Sequence, residues 1–403
     1  MKKNLFMTAA AIAALLTGCS TDEEIANIEA SAKNAIGFNI VSNGAETKAT
    51  IHNTGSTNFD FDVFAFNSTT GDLFMGTRQS DFEHDGVDIY YNTTDQKWDY
   101  KNPDKLAYWP SDRSKLSFYA ISPATVENEQ DKYNYSWYIH GPIATGGNKI
   151  HCSLVNEYGG ADGAKNYDLM YATAFNYEKS TYGTKVKLTF KHALSQVHFK
   201  GITSNASLKA DIQSIIIKNT KTSGEFTIPT DLLEKNNNYA RDPKASDWVL
   251  KDFWNPLDAK MVAANVQVND TEAIDLSKKD EPILVIPQVL TPWSTTPTSA
   301  VTKDNANNSH QSYLEISMKL TQNGQYVIGS ENEYKKIYVP FTNVDTNNAT
   351  GWEPGNRYIY TLIFGGGYDD QGKPILTPIT FEPTVEKWQD ASGYTEQIPA
   401  HTN

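Results

Sequence analysis

The chain has 403 residues, 48 of them acidic and 35 basic, which gives a formal net charge of −13. That balance argues against a nucleic-acid ligand, which needs concentrated Lys and Arg. The 39% hydrophobic and 21% charged content supplies globular cores but not a bundle of membrane spans. With 17 Phe, 22 Tyr and 8 Trp beside abundant Thr and Asn, the composition favours strands and turns over helices, and the length favours two domains.

At the start, Lys2 and Lys3 precede an apolar run from Leu5 to Leu16, and Gly18 stands before Cys19. A positive start, a run too short to span a bilayer and a small residue before the cut mark residues 1–18 as a secretory signal. Leu16-Thr17-Gly18-Cys19 resembles the lipobox of bacterial lipoproteins. The resemblance implies cleavage before Cys19, its acylation by palmitate-type chains, and a lipid anchor in the outer membrane. Each buried methylene contributes about 0.8 kcal/mol and one chain anchors only marginally, so several chains on one Cys make a firm anchor. Ser20-Thr21-Asp22-Glu23-Glu24 resembles the export signal of surface lipoproteins in Gram-negative anaerobes; a plain solvated tether is the competing reading. The chain holds two cysteines. With Cys19 acylated, Cys152 has no intrachain partner, and the fold cannot rest on a disulfide.

Period-two patterns then recur. Ile36, Phe38 and Ile40 alternate with small or polar residues, and Phe59 to Phe66 starts as alternation and ends nearly apolar. Lys185 to Phe190 alternates cleanly, as do Val262, Ala264, Val266 and Val268. Leu314 to Leu320, Ile337 to Phe341, Tyr358 to Phe364 and Ile379 to Val385 complete the series. Turn formers separate these runs: Asn67 to Asp72, Gly146-Gly147-Asn148, Asn236 to Asn238, Asp304 to Ser309 and Gly365 to Gly367. Long helical periodicity is scarce. The expectation is an all-β chain of β-sandwiches, with a linker near Tyr177–Thr184. The divisions are a tether with a first strand at 19–50, an N-terminal β-sandwich at 51–184 and a C-terminal one at 185–403. His192 and His198 are expected on one side of a single strand.

Several ordered strings then carry a resemblance. They are Tyr108-Trp109-Pro110 ahead of Leu116 to Pro123, Val186 to Phe199, Ile286-Pro287-Gln288, Trp352-Glu353-Pro354-Gly355-Asn356-Arg357-Tyr358, and Ile379 to Trp388. Behind a lipobox, this order resembles the fimbrillin-like surface lipoproteins, the subunits of type V pili. The resemblance implies two transthyretin-like sandwiches in tandem and assembly by strand exchange. A trypsin-like protease trims the N-terminus, a groove opens, and the C-terminal strand of another subunit fills it. Carried onto this chain, it implies Ile36–Val41 as the removable strand, and Lys48 before Ala49 as the cut site. Many members have Arg there. Ile379, Phe381 and Val385 are then the donor side chains. An uncut loop at Lys48, and a last strand that completes its own domain, are the competing arrangements. Partners would be other pilin subunits, the protease, the outer membrane and a host or bacterial receptor.

Little in the chain suggests catalysis, and no cofactor or metal site is expected. His151 and Cys152 are neighbours, but adjacent strand residues point to opposite faces. Gly365 to Asp370 reads as a hairpin tip. Asp81, Glu83, Asp85 and Asp88 near His84 lack the ligand ladder of a calcium loop. The rival reading is a monomeric lipoprotein that stacks carbohydrate on exposed aromatics, with Trp98, Tyr100, Trp137, Tyr138 and Trp293 as candidates.

Overall fold

The computed structural model describes residues 35–40, 60–78, 84–122, 124, 137–140, 149–154, 168–179, 185–232, 238–269, 272–294, 302–343, 351–365 and 380–387. Cys19, Lys48, Ala49 and Ile379 lie outside them. Within them the chain is nearly all strand; the one α-helix is the short Lys303–Asn308.

The first large sheet has seven strands. Along it run β13 (Lys191–His192), β11 (Met170–Tyr177), β8 (Leu116–Ser122), β2 (Asp60–Asn67), β6 (Val87–Asn92) and β7 (Lys97–Tyr100), with β3 (Leu73–Met75) beside β2. The near-continuous apolar stretch of β2 follows from burial on both faces, which removes the need for polar alternation. Phe61, Val63 and Ala65 point into one core; Phe64 and Phe66 point into another. The first core is capped by β1 (Gly37–Ile40), paired parallel with β12 (Lys185–Leu188). The second is closed by a four-stranded sheet, β17 (Trp248–Leu250), β16 (Ser223–Thr227), β10 (Lys149–Ser153) and β9 (Trp137–His140). A separate small ladder joins β4 (Thr77–Arg78) and β5 (His84–Asp85).

The later chain forms two facing sheets around a third core. One sheet runs β20 (Ile274–Asp275), β14 (Ser195–Thr203), β25 (Asn356–Phe364) and β26 (Thr380–Lys387), with β21 (Ile283–Val285) beside β14. The other runs β18 (Trp254–Asp258), β15 (Leu208–Lys221), β22 (Tyr313–Gln322) and β23 (Gln325–Ile328), with β19 (Val266–Val268) and β24 (Lys335–Pro340) attached. Side chains from β14 and β25, such as Val197, Phe199, Tyr360 and Leu362, meet Ile215, Ile217, Leu314 and Ile316 from the facing sheet. This is the packing of a β-sandwich. Ladders β1–β12, β11–β13 and β10–β16 cross the division expected at 184/185.

Two of the strings that carried the resemblance, those at Gln288 and at Trp352 to Gly355, prove to be joints. Gln288 lends its side chain to the end of β15: Nε2 donates to Lys221 O (2.8 Å) and Oε1 accepts from Lys221 N (3.0 Å). Its own carbonyl accepts from Trp352 N (2.9 Å). Gly351 passes so close that a Cβ there would lie 2.1 Å from Gln288 O. The turn after Trp352 reaches back to the start of β14. Ser195 Oγ donates to Glu353 O (2.7 Å), and Gly355 N donates to Leu194 O (2.8 Å), with Gly355 at φ +66°.

Two expectations need correction. His192 and His198 do not share a strand: the chain turns at Ala193 and Leu194, so His192 ends β13 and His198 lies in β14 of another sheet. Both turn residues are buried in the second core, and their backbone groups bond elsewhere: Ala193 N donates to Leu169 O (2.9 Å) and Leu194 O accepts from Gly355 N (2.8 Å). The alternation from Val262 to Val268 is a strand only at Val266–Val268; Val262 is an exposed turn residue.

Candidate functional site

The site with distinctive geometry is the seat of the first strand. Ile36 and Phe38 are 0% and 3% exposed, while Gly37, Asn39 and Ile40 are half-buried. Backbone pairing with β12 sets Gly37 opposite Lys185, Phe38 opposite Val186, Asn39 opposite Lys187 and Ile40 opposite Leu188. Because side chains alternate along a strand, Val186 and Leu188 join the core while Lys185 and Lys187 remain exposed.

Phe38 sits among aromatic rings. Its centroid lies 6.2 Å from Phe61, 6.2 Å from Phe118 and 6.1 Å from Tyr100, edge-on to the first two. Edge-to-face contacts at this range match the ring quadrupoles. Burying such a side chain contributes about 1.5–3 kcal/mol. The strand entry is tied by polar contacts: Ile36 N donates to Ala107 O (2.9 Å), and Tyr100 Oη donates to Ile36 O (2.8 Å). Burial holds the Tyr100 phenol well above its ordinary pKa, so it stays a donor. The seat is thus an apolar cradle with main-chain partners at its mouth, shaped to take an extended segment. The alternation at Ile36 and Phe38 marks the strand but carries no sign of its seat, and Tyr100, a candidate for sugar stacking by sequence, is part of that seat.

Nearer the C-terminus, β26 is, among the described residues, an edge strand held by one ladder. It pairs antiparallel with β25, placing Phe381 opposite Leu362, Pro383 opposite Tyr360 and Val385 opposite Tyr358. Val385 is 59% exposed. A proline on an edge strand costs no inward ladder bond.

The remaining candidates are structural. His198 is buried; its Nε2 faces Asp275 Oδ1 (3.0 Å) and its Nδ1 faces Ser277 Oγ (3.0 Å). The Asp275 carboxylate only accepts, so Nε2 carries the ring proton and Nδ1 of the neutral ring accepts from the Ser277 hydroxyl, which itself accepts from Phe199 N (2.9 Å). The trio has the residue types of a hydrolytic triad, but Ser277 is only 1% exposed and no substrate can reach it. Burial lowers the His198 pKa, and the hydrogen bond from His198 lowers that of Asp275. His192 Nδ1 lies 2.7 Å from Asp168 Oδ2. His151 is buried and takes a 3.1 Å contact from Lys251 Nζ. Cys152 is a buried free thiol, its pKa pushed far up by burial.

The sugar-stacking aromatics fare badly. Tyr100 and Trp293 are 7% and 2% exposed, and Trp98 packs against the first core. Trp137 and Tyr138 fall in β9, in register with Cys152 and His151.

Comparison with known proteins agrees with this architecture. No curated protein matches the sequence. Among solved structures, a fimbrial protein from Bacteroides vulgatus is similar at TM-score 0.52 and 14% identity, over 88% of this chain and 99% of that one. The tip fimbrial protein Mfa3 from Porphyromonas gingivalis, with a C-terminal truncation, is similar at TM-score 0.36 and 11% identity, over 82% and 94% of the two chains. A family model described as fimbrillin-like matches residues 47–388, and the chain therefore belongs to the fimbrillin-like family.

Proposed function

We propose that the protein is a subunit of a surface fimbria, anchored as a precursor through acylated Cys19 and assembled by protease-triggered strand exchange. The family supports a place at the cell surface or in a pilus, among other pilin subunits. The observation that carries the mechanism is the seat of β1. A four-residue strand near the N-terminus fills an aromatic cradle and, among the described residues, has one ladder partner. Cleavage between Lys48 and Ala49 would free that strand from the body of the chain. Its departure would uncover Phe61, Phe118, Val186 and Leu188, all 0% exposed with the strand in place. An open groove of that kind is stable only when another strand fills it. The edge strand β26, with Val385 turned to solvent, is the candidate filler. The tether is the lipid-anchored segment 19–50, and the processing enzyme is trypsin-like.

The test is to treat purified full-length protein with a trypsin-like protease, sequence the new N-terminus and run the product unboiled on a denaturing gel. A new terminus at Ala49 with a ladder of detergent-resistant oligomers is expected. A protein cleaved there that stays monomeric overturns the exchange. The carbohydrate reading has lost Tyr100 and Trp293 to buried positions, and Trp98 is partly buried against the first core.

A further inference from the structure

The first and last strands carry the same apolar pattern. Ile36-Gly37-Phe38-Asn39 near the N-terminus is matched by Ile379-Thr380-Phe381-Glu382 near the C-terminus. Each has Ile, a small residue, Phe and a polar residue in that order, and they differ in charge at the fourth position. In the resident strand that position is Asn39, set opposite Lys187. Lys187 is exposed and has no ion pair among the described residues, and the same holds for Lys185 opposite Gly37. The resident strand thus satisfies the apolar cradle and, among the described residues, sets no countercharge against the cations on its rim.

We infer that the cradle takes the last strand of a second copy in a single register, Phe381 in the place of Phe38, and that Lys187 selects that strand over the resident one through Glu382. The inference rests on the exchange proposed above and adds the register and the selecting residue. In this register the incoming strand runs parallel to β12, as β1 does. The ring of Phe381 enters the cage of Phe61, Phe118 and Tyr100. The carbonyl of Ile379 replaces that of Ile36 as acceptor for the Tyr100 hydroxyl proton. Thr380 falls opposite Lys185 and Glu382 opposite Lys187, giving a cross-strand pair of opposite charge. Pro383 falls at the place of Ile40, the last residue of the resident ladder. A missing N–H is tolerated at a strand end. Shifting the strand by one residue turns every side chain to the wrong face. Shifting it by two puts Pro383 in the aromatic cage and the neutral Thr384 opposite Lys187.

The test uses full-length protein, a trypsin-like protease to start assembly, and the rate of detergent-resistant ladder formation. Lys187→Glu and Glu382→Lys should each slow laddering by roughly three- to tenfold at low salt, the range of an exposed pair turned from attractive to repulsive. Mixed in one chain, the two reversals should restore the parent rate. At 0.5 M salt the differences should shrink through screening. In the register arm, Phe381→Ala should impair laddering far more than Val385→Ala, because Val385 lies beyond the cradle. Urea unfolding of the uncleaved monomers checks that each variant folds. Reversals without effect, or a double reversal that stays slow, overturn the role of Lys187. A Val385→Ala defect larger than that of Phe381→Ala overturns the register. A parent chain that is cleaved at Ala49 yet never ladders overturns the exchange itself and this register with it.

Discussion

The hydroxyl of Tyr100 donates a 2.8 Å hydrogen bond to the carbonyl of Ile36, a residue 64 positions earlier. With the bond from Ile36 N to Ala107 O, it ties the entry of the first strand into its seat. Tyr100→Phe keeps the ring against Phe38 but strands the Ile36 carbonyl. A buried acceptor left unsatisfied costs about 1–3 kcal/mol. The uncleaved variant should show a lower urea midpoint at neutral pH and faster amide exchange along residues 36–40. An unchanged midpoint would remove the bond from the account of what holds β1.

Acid should weaken the protein through His198 and Asp275. Burial lowers the folded-state pKa of His198, so the unfolded chain binds a proton first as pH falls below about 6.5. The unfolded state then holds more protons, and stability must fall with pH through that window. Asp275, also lowered, adds a loss in the same direction at still lower pH, below about 3.9. Urea midpoints measured from pH 7.5 down to pH 5 should decline in the parent. His198→Gln, which does not titrate, should give a flatter profile. Parallel profiles for the two would contradict the assignment.

Gly351→Ala tests the joint at Gln288. The new Cβ would meet Gln288 O at 2.1 Å, a backbone atom that cannot swing aside. Overpacking of this kind typically costs about 1–3 kcal/mol, and more where backbone must move. The variant should melt several degrees lower, measured by calorimetry, while Gly71→Ala provides a contrast: there the strain is only that of a positive φ, with no atom within 4 Å.

Local patterning made much of the fold legible. The alternation at Lys185 to Leu188 appears as exposed and buried residues in turn, and Phe38 lies inward as period two requires. What escaped was set by contacts distant in sequence. Pairing of β1 with β12 joins residues about 148 apart, and no local signal records which distant strand a short segment chooses. In β15, Ile212 and Ile215 fall out of phase because Gln213 is an extra residue between Ile212↔Met318 and Ser214↔Ser317. Its side chain is held by Ser317 Oγ (2.9 Å). Such a bulge shifts the pattern by one and hides the strand. The aromatics were visible as a class, but whether Trp98 or Tyr100 stacks a ligand or fills a core depends on the sheet that covers it.

The ladders that cross residue 184 bear on how the polypeptide can be divided. Severed there, β1, β12 and β13 would lose their ladder partners, and β10, β11 and β16 would each lose one of two. Each fragment would then present bare hydrogen-bonding edges, the usual route to clumping. Co-produced, the two should find one another, making the molecule a natural candidate for split-fragment complementation rather than for truncation into modules.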